Sequence, residues 1–230
     1  LKTSSGSLTI DGYANLWNPR FRVKNAPVLY SPFMIIPVKT ERQSGFLRPE
    51  IGVSDRLGTH INQPYFQVID EENDITLYEN FYSHRGLMQG LEFRSTPDLD
   101  DKALFRADWL KDKITAKTEE EEDSQFDDDG LIRPNENRYW LRGKYDATYF
   151  HDWQAKLDID YVSDQNYLRE FDSGYSGFQE SRQQFMEHFG RDIQDNDDLI
   201  RENILSLTRN WAHTGLEARI EYNENLKYRN

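Results

Sequence analysis

The sequence contains no cysteine, so disulfides, thiolate catalysis and Cys-ligated metals lie outside its chemistry. It has no apolar run of about 18 residues, which excludes a membrane-spanning helix but says little of spanning strands, whose alternating pattern is far weaker. Basic residues are outnumbered: 28 Lys and Arg face 41 Asp and Glu, for a formal net charge of -13. Such a surface argues against nucleic acid, whose phosphates need a basic footprint, and favours cationic partners. No initiator Met and no signal-peptide pattern stand at Leu1-Lys2-Thr3-Ser4, so the chain reads as cut from something larger. H-E-x-x-H, G-x-S-x-G and phosphate-binding glycine loops are all missing. The five histidines, His60, His84, His151, His188 and His213, stand in separate segments without metal-ligand spacing. No catalytic residue, metal or cofactor is therefore expected.

Aromatic residues, by contrast, reach 13% although hydrophobic residues overall stop at 37% and the mean hydropathy is -0.88. A disordered acidic chain is poor in aromatics. An ordered all-β protein fits better, because a strand with one polar face needs only every second residue to be apolar.

Alternation is plain along the chain. Tyr139, Leu141, Gly143, Tyr145 and Ala147 share one face against Arg138, Trp140, Arg142, Lys144 and Asp146. Trp153, Ala155, Leu157, Ile159 and Tyr161 oppose Gln154, Lys156, Asp158 and Asp160, a period of two over a membrane-spanning length. The same parity holds in 103–109 and 216–222, and less cleanly in 45–54, 59–69, 74–83, 87–95 and 202–211. About nine strands follow one another without helical crossovers, which predicts up-and-down antiparallel order.

Two connections are long, 112–137 and 164–201. Counting crossings places both outside a membrane, with the turns at His151 and Ala212-His213-Thr214 on the inner side, as barrels with short periplasmic turns require. The first long loop holds ten acidic and three basic residues. Asp127, Asp129, Gly130 and Glu136 fall at calcium-loop positions, but Gln125 occupies the first of them, and a solvated acidic loop is the expectation. In the second, Phe178, Arg182, Phe185, Met186 and Phe189 before Gly190 predict a short amphipathic helix that packs.

Ahead of these strands, residues 1–38 alternate in Ser7-Leu8-Thr9-Ile10-Asp11 and Phe21-Arg22-Val23-Lys24, which reads as part of a β-rich domain. The apolar, proline-punctuated stretch from Ala26 to Pro37 reads as an extended connector leading to 39–44. Pro49 and Pro64 interrupt the first two strand-like segments, where each removes a ladder donor. They describe either a weak seam or two edge strands. On periodicity alone a soluble β-sandwich with one wet face shows the same alternation.

The run Phe21-Arg22-Val23-Lys24-Asn25-Ala26-Pro27-Val28-Leu29-Tyr30-Ser31-Pro32-Phe33, then Pro37 and Arg42-Gln43-Ser44-Gly45-Phe46-Leu47-Arg48-Pro49, resembles the LPS-assembly protein LptD family, also called organic solvent tolerance proteins. The likeness continues in Gln63-Pro64-Tyr65-Phe66, Asp74-Ile75-Thr76-Leu77 and Tyr161-Val162-Ser163-Asp164-Gln165-Asn166-Tyr167-Leu168. It implies an all-β chain in which 1–38 ends a periplasmic β-jelly roll, 39–44 connects, and 45–230 begins an antiparallel up-and-down outer-membrane β-barrel. It implies transport without catalysis. Lipopolysaccharide would pass along Phe21, Val23, Val28, Tyr30 and Phe33 and leave through a lateral gate at Pro49 and Pro64. The implied partners are lipopolysaccharide, the periplasmic bridge protein LptA, the plug lipoprotein LptE and outer-membrane lipids. The family's cysteines are missing here, and the acidic loop at 119–129 has no counterpart in the family pattern. A soluble carbohydrate-binding β-sandwich is the alternative; it would explain the aromatics but not the junction motif or the prolines.

Overall fold

The computed structural model describes residues 4–8, 13–23, 26–37, 42–98, 100–115, 131, 133 and 135–228. The chain divides into two units, Leu1–Gln43 and Ser44–Asn230.

In the first unit β1 (Ser5–Leu8), β2 (Tyr13–Trp17) and β5 (Phe33–Pro37) form one antiparallel sheet, while β3 (Arg20–Val23) and β4 (Ala26–Tyr30) form a hairpin. The expected connector between Ala26 and Pro37 is thus two strands. Its prolines sit where a ladder tolerates them. Pro27 lies where the β3–β4 register shifts, Pro32 falls between strands, and Pro37 is the last residue of β5. The extended backbone that proline imposes is strand backbone once a partner is present.

The second unit is one antiparallel sheet. Its strands are β6 (Gly45–Phe46), β7 (Glu50–Ser54), β8 (Gly58–Val68), β9 (Asn73–Tyr82), β10 (Gly86–Ser95), β11 (Lys102–Lys111), β12 (Asn137–Tyr149), β13 (Trp153–Val162), β14 (Ile200–Asn210) and β15 (Gly215–Asn225). From β8 to β15 each pairs with its sequence neighbour, and β6 and β7 both pair with β8. The ten strands are the nine expected with the first broken in two. Both long connections leave the same end of the sheet.

The polarity of its faces is the opposite of a soluble sheet's. Pairs such as Leu91 with Ala107 and Leu141 with Tyr161 place the apolar parity on one face. That face is bare: Leu77, Phe81, Leu91, Leu141, Leu205 and Ile220 are exposed. Asn80, Glu92, Arg106, Asp108, Arg138 and Arg142 are buried on the other. An antiparallel sheet in water hides its apolar face; a barrel in lipid shows it outward and turns its charges to the lumen.

Aromatic rings border the bare face at both ends. Tyr139 and Tyr161 stack at 6.0 Å near the long connections, and Trp153 meets Trp211 at 6.4 Å at the other end. Along β12, Tyr139 to Tyr149 rises about 33 Å, or about 25 Å at a tilt of about 40°, the height of an outer-membrane apolar band.

The second long connection does not project from the sheet. It folds back over the charged face, carrying α1 (Tyr167–Glu170) and α2 (Phe178–Phe189). As the spacing predicts, α2 buries Phe178, Phe185 and Phe189 and ends at Gly190 with φ 63°, whereas Met186, expected on the packing face, is exposed. These rings and Tyr167 meet Met88, Leu104, Trp140 and Val162 in the core, with Trp140 and Phe178 stacked at 6.1 Å.

Candidate functional site

A narrow antiparallel pair is closed by two reciprocal backbone bonds, each residue donating once and accepting once. Opposite Leu47 stands Pro64. The Leu47 N–H donates to the Pro64 carbonyl at 3.0 Å, but Pro64 has no N–H to return, so the donor missing from β8 faces the first strand. The Gln63 side chain takes its place, with Nε2 donating to the Leu47 carbonyl at 3.0 Å.

Pro49 lies in the gap between β6 and β7. Phe46 pairs with Tyr65 and Glu50 with Asn62, so the first strand advances four residues while β8 advances three. Arg48 and Pro49 absorb the extra residue as a bulge, a place where the absent proline donor costs nothing. Both prolines therefore stand on one seam. Among the described residues the first strand pairs only with β8, and its Phe46, Ile51 and Val53 are 76%, 69% and 78% exposed.

The folded-back connection reaches this seam. The Tyr175 backbone N–H donates to Glu50 Oε2 at 3.0 Å, and the Tyr175 hydroxyl donates to the Arg48 carbonyl at 3.2 Å. Beside it Ser176 Oγ accepts from Asn80 Nδ2 at 2.9 Å and Arg106 Nη2 at 2.7 Å. Arg106 is held against Asp108 and Glu92 and lies 4.0 Å from the Tyr78 ring centre. Arg142 ties α2 down through Ser181 Oγ at 2.8 Å and binds Asp108 at 2.6 Å.

Three guanidiniums converge on Glu170. Arg85 reaches it at 3.2 and 3.0 Å, and Arg133 and Arg138 also bind it. Arg138 forks onto Asp164 at 2.9 and 2.8 Å, while Arg85 Nε binds Asp112 at 2.9 Å. Burial alone would raise the Glu170 carboxyl, but Arg138 and Arg85 hold it down to about 2. Burial pushes the Tyr167 hydroxyl well above its ordinary value.

In the first unit Tyr30 is exposed and donates to Asn18 Oδ1 at 2.7 Å, and Phe33, also exposed, lies 5.4 Å from Trp17. Phe21 and Val23 are in β3 and Val28 in β4; their side chains lie outside the described residues. Residues 116–130, and with them Gln125, Asp127, Asp129 and Gly130, also lie outside them. Glu136 pairs with Lys111 at 3.1 Å.

Reading the sequence singled out the two prolines but missed Glu50, Gln63, Glu170, Tyr175 and Ser176. Tyr175 and its partner Arg48 are 127 residues apart, and no local pattern marks either.

Comparison with known proteins brings two family models to this chain. One described as LPS transport system D matches residues 136–225, and one described as LptD protein matches 18–96. The LPS-assembly protein LptD of Haemophilus ducreyi is 30% identical over 167 residues, covering 71% of this chain and 20% of that protein. That of Sodalis glossinidius is 33% identical over 165 residues, covering 70% and 19%. That of Shewanella frigidimarina is 29% identical over 161 residues, again covering 70% and 19%. The chain spans about a fifth of the length of these curated relatives.

Proposed function

The chain belongs to the LPS-assembly protein LptD family, and from that premise we propose that it carries the exit of a lipopolysaccharide translocon. The observation that carries this reading is the broken seam: a first strand bulged at Pro49, paired to a β8 that lacks a donor at Pro64, beside a bare apolar face.

The physical chemistry of the cargo requires a sideways exit. Each methylene brought into water costs about 0.8 kcal/mol, so an acylated lipid is delivered directly from lumen to bilayer. The resemblance puts that exit where the first strand meets the last strand of the barrel, and the prolines of the first two strands loosen the first strand's hold, so backbone bonds worth about 0.5–1.5 kcal/mol each part there without disturbing the rest of the sheet. The charged face suits the anionic and sugar portions, while the bare face meets outer-membrane lipids. The step is transport and needs no catalysis.

In this proposal residues 1–38 end a periplasmic jelly roll that receives lipopolysaccharide from the bridge protein LptA, 39–44 connect, and 45–230 begin the barrel that the lipoprotein LptE plugs. Phe21, Val23, Val28, Tyr30 and Phe33 form the lipid path. The exposed rings of Tyr30 and Phe33 support that assignment.

Replacing Pro49 and Pro64 together by Ala returns the β8 donor opposite Leu47 and frees the fixed backbone of the bulge, which tightens the seam. Surface delivery of lipopolysaccharide should slow several-fold in cells carrying the double variant; unchanged delivery at equal protein level would refute the gate. Photocrosslinkers at Tyr30 and Phe33 should capture lipopolysaccharide if the path is correct.

A further inference from the structure

We propose that Tyr175 and Glu50 form a latch that holds the first strand shut on both sides of its break. This rests on the reading of that strand as the exit. Tyr175 touches the strand on either side of Pro49: its hydroxyl holds the Arg48 carbonyl, inside the bulge, and its N–H holds the Glu50 carboxylate, just past it. These contacts replace, from the inside, pairing that the bulge removes from the β8 side.

A latch needs an anchor that stays when it opens. Ser176 supplies it, because its hydroxyl accepts from Asn80 of β9 and Arg106 of β11, deeper in the sheet than the seam. The turn is shaped for this. Gly174 adopts φ +85°, and a Cβ there would lie 3.1 Å from Glu50 Oε2, so glycine allows the turn to press against the carboxylate. A cavity of about 590 Å³, lined by Arg48, Pro49, Glu50, Ser173, Tyr175 and Glu180 among others, adjoins the contact. The Glu50 side chain can swing into it without repacking the phenylalanines of α2.

The latch therefore resists separation of the first strand and is broken by losing two hydrogen bonds, one of them to a carboxylate. Charged hydrogen bonds of this kind are the stronger sort.

The test uses the full-length protein purified from outer membranes, with hydrogen exchange read segment by segment. In Tyr175→Phe and in Glu50→Ala, amides of 45–54 should exchange about tenfold faster, while β10 to β13 stay as in the parent. Glu50→Gln keeps an acceptor for the Tyr175 N–H and should restore most of the protection. Unchanged exchange at 45–54, acceleration spread evenly over the sheet, or a Glu50→Gln variant as loose as Glu50→Ala would each overturn the latch. Lipopolysaccharide delivery is measured in the same variants. A loosened strand with unaltered delivery would leave the latch standing and count against the exit assignment.

Discussion

Gln63 does with its side chain what its neighbour cannot do with its backbone. Because the Gln63 amide fills the Leu47 carbonyl only while Pro64 lacks an N–H, the two positions should be coupled. Gln63→Ala alone leaves that carbonyl unpaired and should cost about 1 kcal/mol of local stability. In a Pro64→Ala background the new backbone donor makes the side chain redundant, and the same change should cost close to nothing. A double-mutant cycle on exchange at the first strand measures this, and additive effects would contradict it. The prolines were legible in the sequence because their consequence is covalent and local. Gln63 was not, since its meaning depends on a carbonyl 16 residues away.

The folded-back connection is the element whose stability is most sensitive to charge. Glu170, ringed by Arg85, Arg133 and Arg138, has a carboxyl lowered to about 2 from an ordinary 4.5. A lowered carboxyl contributes stability that is complete above its unfolded pKa and lost as pH falls through its folded one. The connection should therefore resist pepsin down to about pH 4 and become cleavable within 163–199 as pH approaches 2. Glu170→Gln should loosen it already at neutral pH, by about 3–5 kcal/mol, because buried guanidiniums lose their counter-charge. Cleavage that does not depend on Glu170 would show that the phenylalanines alone hold the connection. The sequence announced α2 through its spacing and its closing glycine. It announced that α2 packs but not on which surface, because α2's buried partners lie on β10 to β13, and it misread Ala26–Tyr30 and Phe33–Pro37 because their partners, Arg20–Val23 and Tyr13–Trp17, show only once the register is known.

Across the whole sheet, alternation was visible in the sequence but its direction was not, since period two is the same for lumen and lipid as for core and water. The bare apolar face decides it. An arginine at Leu205, near the middle of that face and paired with Leu157 and Ile220, should cost about 2–4 kcal/mol in a bilayer, whereas an exposed site in water should change by no more than about 0.5 kcal/mol. The yield of heat-modifiable Leu205→Arg protein in outer membranes distinguishes the two, and an undiminished yield would contradict lipid contact. The break at Pro49 then acquires a mechanical meaning. β6 is two residues long and β7 five, and the inward hold of Tyr175 falls where they meet. The strand is thus fastened like a sail along its long upper edge, while its lower corner hangs on two ladder residues and on the Ser44 hydroxyl, which accepts from the Val68 N–H and the Gln67 side-chain amide at 2.9 Å. On the proposed exit role, opening would begin at that short-held corner as a tapered slit, widest where the chain enters the sheet, and a bulky amphiphile would wedge its way out progressively rather than wait for the whole seam to part at once.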